Sequence, residues 1–350
     1  MLTSEDQTSE FEFLYMNRQY WILLILIGIL AITYFTGPTI PTPKYSTTTP
    51  VYPENLQELE EKIATSEASF QTREDNEARI IWQDSIPKKS EYSIVYLHGF
   101  AGSYQDGFPV NVNIADTLHA NIYLARWSGH GLKPPHSLND FTPDNAWMSA
   151  KEALEIGKTI GKKVIIMSTS TGGTLALNLA ATYPESVYAI INMGPNVEDD
   201  MPGTFILNSH WGYEIANLIS LGSNKKIEHE QEIARNYWDT IYPSKALVDL
   251  QVLVESTMTP KTFKKINSPV LTLFYKKNAF EKDEHVEVSV YPEMYELLST
   301  PSSKKKLVAL KTPETHFVGS EIKSKDTKIV EKEIVKFLTE NLKIDLNTLK

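Results

Sequence analysis

The sequence predicts an α/β fold in which a mostly parallel sheet is covered by helices on both faces. Seven short runs of apolar and β-branched residues predict buried strands, and segments with helical periodicity separate most of them. Such alternation is typical of right-handed strand–helix–strand units, which place their strands parallel in one sheet. The predicted strands are 78–82, 93–97, 121–125, 163–167, 188–193, 270–274 and 306–310.

The predicted helices follow the same order along the chain. The spacing of apolar residues predicts them at 54–70, about 110–119, 145–160, 173–183, 291–298 and 328–342. The alternation stops between about 197 and 265, where the sequence has helical character and no strand-like run. The sequence therefore predicts a helical lid at 197–265, inserted over the carboxyl edge of the sheet.

The N-terminal region differs in kind from the rest of the chain. An acidic tail (1–19) precedes an apolar run with aromatic residues at both ends (20–36). Its length and flanks favour an uncleaved single-pass membrane anchor, since the alternative, a cleaved signal peptide, needs a basic start and a small-residue cleavage site. Arg18 and Lys44 lie on opposite sides of the run, so positive charge assigns no orientation.

A segment rich in proline and threonine joins this run to the remaining chain. Residues 37–53 contain five prolines and five threonines. Because repeated proline favours extended backbone, the segment is predicted to be a semi-rigid stalk. It would hold a single large domain, residues 54–350, away from a membrane.

Composition excludes several classes of function. The formal net charge is −10 and no basic stripe is visible, so nucleic acid is not an expected partner. The chain has no cysteine, which excludes disulfides, thiolate metal ligands and a cysteine nucleophile. The histidines lack metal-ligand spacing such as HExxH, and no GxxxxGK phosphate loop occurs. We therefore expect no metal and no cofactor.

Four of the predicted strand ends carry residues suited to catalysis, and the carboxyl ends of parallel strands meet at one edge of a sheet. These segments are "YLHGF" (96–100), "STSTGG" (168–173), "FYKKNAFEKDEHV" (274–286) and "KTPETHF" (311–317). A serine, an acid and a histidine thus follow one another at successive strand ends. This is the chain order of a Ser-Asp-His triad on a sheet of this type.

The chemistry of ester cleavage gives each of these residues a role. A serine hydroxyl such as that of Ser170 needs a base to accept its proton, and His316 is the candidate. The imidazole needs a carboxylate on its other nitrogen, for which Asp283 is the candidate. The oxyanion of the intermediate needs donors, and the amides of Phe100 and Thr171 are expected to supply them.

Two serines in "STSTGG" compete for the nucleophile. The apex of a sharp strand-to-helix turn needs small residues two positions before and two after it. Around Ser170 these positions hold Ser168 and Gly172, which are both small. Around Ser168 the first position would hold Ile166, whose β-branched side chain would clash. The sequence therefore favours Ser170.

Five motifs in order resemble the α/β-hydrolase superfamily, and most closely its monoacylglycerol-lipase, carboxylesterase and serine-aminopeptidase branch. They are "YLHGF", "ARWSGHG" (125–131), "STSTGG", "KDEHV" (282–286) and "THF" (315–317), within a similarity that covers about residues 78–345. The resemblance implies an α/β-hydrolase fold with Ser170 as nucleophile and with Asp283 and His316 as its partners. It also implies an oxyanion hole formed by the amides of Phe100 and Thr171.

The sequence departs from the family pattern at two places. Ser168 replaces the first glycine of the turn, and "LARW" lacks the acidic residue usual before the GHG turn. For the triad acid, Glu284 and Asp199 are alternatives to Asp283.

These features together predict a membrane-anchored serine hydrolase that cleaves carboxylic esters through an acyl-enzyme. A peptidase or thioesterase on the same triad is one alternative, and a non-catalytic binding protein of the same fold is another. The expected partners are a small-molecule ester or glyceride and a membrane that binds through residues 20–36.

Overall fold

A seven-stranded sheet forms the centre of the domain in the computed structural model, which describes residues 4–200 and 203–349. Within these ranges the strands are β1 (Arg79–Ile81), β2 (Ser90–Leu97), β3 (Asn121–Leu124), β4 (Gly161–Thr169), β5 (Ala189–Met193), β6 (Asn224–Lys226), β7 (Ile241–Pro243), β8 (Val270–Tyr275) and β9 (Lys305–Leu310). The sheet order is β1-β3-β2-β4-β5-β8-β9, and every neighbouring pair is parallel except β1 with β3. All seven predicted strands belong to this sheet, so the prediction of a mostly parallel α/β fold is confirmed.

Helices cover both faces of the sheet. The described residues contain α1 (Ser4–Phe35), α2 (Leu56–Ala68), α3 (Val110–Thr117), α4 (Pro143–Ile160), α5 (Thr171–Thr182), α6 (Gly212–Ile219), α7 (Ala234–Tyr237), α8 (Lys245–Thr257), α9 (Pro260–Phe263), α10 (Tyr291–Leu297) and α11 (Thr327–Lys336). Successive residues of a strand point to opposite faces, so Val95 packs with α4 and α5 while Ile94 packs with α3 and α11. The sheet is therefore buried on both sides, as its apolar strands require.

The lid lies between β5 and β8 and contains α6 to α9. It also contains an antiparallel pair, β6 with β7, so the prediction that the lid has no strand is wrong. Both strands are short, and the sequence Asn-Lys-Lys of β6 carries no apolar alternation. The lid contacts the loop after β2, because the Asp239 amide donates to the Ala101 carbonyl at 2.7 Å. Residues 201 and 202 of the predicted lid lie outside the described residues.

Residues 37–53, here called the strap, contain no helix or strand and do not stand away from the domain. Three side chains of α4 bind the backbone of residues 44–48. The Asp144 carboxylate accepts from two amides at 2.9 and 2.7 Å, and the Trp147 indole donates to a carbonyl at 2.9 Å. The buried Lys151 ammonium donates to two carbonyls at 2.7 and 2.5 Å. The strap is therefore docked on the domain, and the expectation of a free spacer is corrected.

The N-terminal helix α1 is longer than the predicted anchor. It begins at Ser4 and runs through the predicted tail, whose first three residues lie outside the described ones. Its apolar stretch, Arg18–Phe35, has a mean hydropathy of 1.6 and none of it is buried. The end of α1 contacts the lid, since the Trp211 indole donates to the carbonyls of Thr33 and Tyr34 at 3.2 Å.

Candidate active site

Ser170 occupies a sharp turn between β4 and α5. Its backbone has φ 53° and ψ −122°, and a positive φ of this kind is unfavourable for a residue with a side chain. The turn is held because the Ser170 amide donates to the Met193 carbonyl at 3.1 Å and its carbonyl accepts from the Asn196 amide at 2.8 Å. Non-glycine residues in such geometry concentrate at functional sites. The only residue between the end of β4 and the start of α5 is thus a strained serine.

The residues two positions before and after Ser170 are packed tightly. A Cβ atom on Gly172 would overlap the Leu97 carbonyl oxygen of β2, so glycine is required there for the helix to pass the sheet. Ser168 lies inside β4, where it is completely buried and donates to the Asn192 side-chain oxygen at 2.7 Å. This second serine is therefore enclosed within the sheet, whereas Ser170 is partly exposed.

The loops after β8 and β9 bring Asp283 and His316 together. His316 Nδ1 lies 2.7 Å from Asp283 Oδ2, and both side chains are buried. The other carboxyl oxygen accepts from the amides of His285 and Val286 at 2.9 and 3.3 Å. Burial alone would raise the pKa of the Asp283 carboxyl, but the charge and hydrogen bond of His316 and the His285 amide lower it below its usual value. The imidazole is therefore held on one nitrogen by an ionised acid.

The second nitrogen of His316 is available for chemistry. His316 Nε2 is buried and has no hydrogen-bond partner among the described residues. The Cβ position of Gly194, next to Met193, lies 3.3 Å from His316 Nδ1, so His316 and Ser170 flank the same short segment. Within the described ranges, Ser170 Oγ and His316 Nε2 do not form a hydrogen bond. Such bonds are often long without substrate and shorten in the reacting complex.

Two backbone amides next to Ser170 are candidate oxyanion donors. Neither the Phe100 amide nor the Thr171 amide donates a hydrogen bond within the described part of the chain. The Cβ position of Gly99 lies 3.0 Å from Ser170 Cβ, so the loop after β2 passes directly beside the serine. A carbonyl oxygen bound at Ser170 would thus lie near amides from two different segments.

Comparison with known proteins identifies the fold. The sequence model of the family described as "alpha/beta hydrolase fold" matches residues 92–264. One of two metagenome-derived lipolytic enzymes is similar at 15% identity, with TM-score 0.60, covering 77% of this chain and 99% of that one. The chain is an α/β-hydrolase-fold protein. The α/β-hydrolase fold that the five motifs imply is confirmed.

Two further solved structures share this α/β-hydrolase fold. The monoacylglycerol lipase of Paleococcus ferrophilus is 15% identical, with TM-score 0.53, covering 75% of this chain and 98% of that one. A soluble variant of monoglyceride lipase from Saccharomyces cerevisiae, bound to a substrate analogue, is 13% identical with TM-score 0.56. That likeness covers 89% of this chain and 99% of the yeast one. At these identities the likeness shows the fold alone.

The alternative triad acids lie elsewhere in the α/β-hydrolase fold. Glu284 is exposed to solvent, and among the described contacts it makes no hydrogen bond with His316. The Asp199 carboxylate accepts from the Asn196 side chain at 2.9 Å, and burial raises its pKa. Asp283 is thus the one of the three that contacts the imidazole in this structure.

The histidines of the "HG" and "GHG" motifs pack together at the loop after β2. The His98 ring stacks on Trp127 at 4.7 Å between centroids, and the His130 ring lies 5.1 Å from His98. Burial lowers the pKa of His98 to about 4 and also lowers the pKa of His130. Both rings are therefore neutral near pH 7. His98 Nδ1 donates to the Gly99 carbonyl at 2.8 Å, which orients the loop.

Sequence reasoning missed two residues of this α/β-hydrolase edge. His285 stacks on His316 with ring centroids 4.9 Å apart and planes 1° apart. Asp106 is completely buried, and its Oδ2 accepts from the Gly99 amide at 2.6 Å. The weak signal for Asp106 was an acid in the turn after "YLHGF". Composition cannot show that such an acid is buried, because acids in turns are usually exposed.

Proposed function

We propose that the chain is a membrane-anchored serine hydrolase that cleaves carboxylic esters, with Ser170 as nucleophile, His316 as base and Asp283 as the acid that orients it. The observation that carries the proposal is the strained serine between β4 and α5, which shares the Met193–Gly194 segment with an imidazole that an ionised acid holds by one nitrogen. A serine hydroxyl needs such a base to become a nucleophile.

The free amides of Phe100 and Thr171 support the step in which the oxyanion of the tetrahedral intermediate is stabilised. Attack of Ser170 Oγ on the ester carbonyl forms a tetrahedral oxyanion, and the proton of the hydroxyl passes to His316 Nε2. The same proton then goes to the leaving alkoxide, which departs as an alcohol and leaves an acyl-serine. Water releases the acid by the same route. Each oxyanion donor contributes about 3–4 kcal/mol to such a transition state in measured cases.

An acyl ester is the substrate class that the lid favours. The end of α6 exposes apolar side chains, including Leu218 at 75% and Leu221 at 94%. Exposed apolar side chains in a group are typical of surfaces that meet lipid or apolar ligands. Two similar structures carry the names of a monoacylglycerol lipase and a monoglyceride lipase, which agrees with this class.

Anchoring through residues 20–36 is supported by the exposure of α1. A mostly apolar helical stretch of 18 residues, Arg18–Phe35, of which none is buried, leaves its side chains in water unless another phase covers them. Removing residues 1–36 while keeping the strap should move the protein from the membrane fraction to the soluble fraction. Cleavage of the natural chain after this run, detected by mass spectrometry of the N-terminus, would support the signal-peptide alternative.

A fluorophosphonate probe tests the nucleophile. The full chain in detergent should be labelled at Ser170, and Ser170→Ala should lose both labelling and turnover of p-nitrophenyl butyrate. Ser168→Ala is the matched control, since it removes a neighbouring hydroxyl that is enclosed in the sheet. Labelling that survives Ser170→Ala but not Ser168→Ala would move the nucleophile to Ser168. Absence of labelling and turnover in the wild type would favour the binding-protein alternative.

Thioester and peptide substrates separate the remaining alternatives. A higher kcat/KM for an acyl thioester, or for an aminoacyl p-nitroanilide, than for the oxygen ester would assign the triad to thioesterase or peptidase chemistry. We expect the oxygen ester to be cleaved fastest, because the lid exposes apolar side chains such as Leu218, Leu221 and Ile233 that suit an acyl chain.

A further inference from the structure

Asp106 is a buried acid that the proposed mechanism leaves without a role. Its side chain is completely buried in the turn between β2 and α3. One carboxyl oxygen accepts from the Gly99 amide at 2.6 Å, and the other accepts from the Tyr96 hydroxyl. That hydroxyl also lies 2.7 Å from the hydroxyl of Thr169, the residue before Ser170. Asp106 thus connects the two segments that carry the proposed oxyanion donors.

In space, Gly99 lies between Asp106 and the proposed nucleophile, Ser170. The Cβ position of Gly99 lies 3.0 Å from Asp106 Oδ2 and 3.0 Å from Ser170 Cβ. A side chain at residue 99 would therefore meet the carboxyl on one side and the serine on the other. The close approach requires glycine, and glycine leaves the backbone conformationally free unless other contacts fix it.

Hydrogen bonds fix both peptide groups of Gly99. The peptide that contains the Phe100 N–H also contains the Gly99 carbonyl, and in a trans peptide the two point in opposite directions. That carbonyl accepts from His98 Nδ1 at 2.8 Å and from the Gly102 amide at 3.2 Å. Asp106 holds the N–H of the preceding peptide. Loss of the carboxyl would leave this part of the loop without its anchor.

We propose that Asp106 is a positioning residue for the oxyanion site: by accepting from the Gly99 amide it fixes the direction in which the Phe100 N–H points. The inference rests on the proposed ester hydrolysis. Two titratable groups face the carboxyl, Tyr96 from β2 and His316 from the loop after β9. Burial raises the pKa of Asp106 to about 7, although bonds from Tyr96 and Gly99 and the charge of His316 oppose the rise. Both protonation states keep an oxygen that can accept from Gly99.

The test compares two substitutions in the full chain in detergent. Asp106→Leu removes the acceptor at similar volume, and kcat for p-nitrophenyl butyrate should fall about 100-fold, with KM within about threefold. Asp106→Asn should keep kcat within about fivefold, because its oxygen can accept from Gly99 while its NH₂ group faces the Tyr96 oxygen. Asp249→Asn is the matched control. It changes another buried acid, on α8, which bonds Lys245 and Tyr213.

Each outcome decides the inference. The proposal is supported if kcat falls in Asp106→Leu, stays near the wild-type value in Asp106→Asn and is unchanged in Asp249→Asn. All three variants should keep the melting temperature of the wild type. Wild-type turnover together with an unchanged kcat in Asp106→Leu overturns the inference and leaves the proposed function standing. A raised KM at constant kcat also overturns it, since that pattern indicates lost substrate binding. If the wild type itself has no turnover, both proposals fail. Asp106→Ala replaces the Leu variant if the latter does not fold, with the same expectations.

Discussion

The loops at the carboxyl edge of the sheet, here called the catalytic edge after their proposed function, and the strap are both irregular segments docked on one domain, but different atoms hold them. At the catalytic edge, side chains of the loops bond one another, as His316 bonds Asp283. The strap is bonded mainly through its own backbone, which side chains of α4 bind, although the Tyr45 hydroxyl also lies 2.6 Å from the Ser256 hydroxyl. The difference teaches where substitutions matter. We therefore expect the catalytic edge to be sensitive to substitution of its loop side chains. The strap should be sensitive chiefly to substitution of the α4 residues that bind it.

Replacing the proposed triad acid should have the largest effect. Asp283→Asn keeps the size of the side chain but cannot hold the imidazole in the required tautomer, so kcat should fall about 10⁴-fold, or about 5 kcal/mol. Steady-state turnover of p-nitrophenyl butyrate measures this loss. Glu284→Gln, a neighbouring exposed acid, is the matched control and should leave kcat unchanged. The reverse result would transfer the role to Glu284.

The stability of the catalytic edge should depend on pH through Asp106. Its pKa is raised by burial to about 7, so the folded chain holds a proton that the unfolded chain releases at lower pH. The unfolded state then binds fewer protons, and stability falls as pH rises from about 4 to about 7, by up to about 4 kcal/mol. Urea titrations at pH 5 and pH 8 should show a smaller pH difference for Asp106→Asn than for the wild type. Equal differences would contradict the buried acid as the source.

Substitution of an α4 residue that binds the strap should have an intermediate effect. Lys151→Met keeps the aliphatic stem but leaves the carbonyl of Thr48 without its donor, at a cost of about 1–3 kcal/mol in the free energy of unfolding. Limited proteolysis should cut the strap faster, while kcat stays within about threefold. A large loss of kcat at unchanged stability would show that the strap and the catalytic edge are coupled.

The exposed side chains of the strap should matter least. Thr47 and Thr48 are exposed, and the structure uses the carbonyls of both residues as acceptors. Thr47→Ala and Thr48→Ala should therefore each change the free energy of unfolding by less than about 0.5 kcal/mol, which is usual for surface positions. Urea titrations of these two variants and of Lys151→Met compare their free energies of unfolding. A loss as large as that of Lys151→Met would remove the distinction between the two regions.

The same distinction explains what the sequence could predict. Strands such as 163–167 were predicted because apolar β-branched residues must be buried, and the structure has them in the sheet. The positions of Asp283 and His316 follow from strand ends that share one edge of the sheet. The docking of the strap could not be predicted, because bonds to backbone groups leave no pattern in the residues that carry them. The burial of Asp106 was not predicted, because a single acidic residue in a turn is usually exposed to solvent.

The route of the strap bears on how the proposed hydrolase would meet an ester. The chain leaves α1 against Trp211 of the lid and then runs along α4. If α1 crosses a bilayer, Trp211 and the adjoining part of the lid lie at the headgroups, close to the phase in which long-chain esters dissolve. Tethering of this kind raises the effective concentration of substrate without any added contact. A high turnover in the cell would then require no tight binding at the active site.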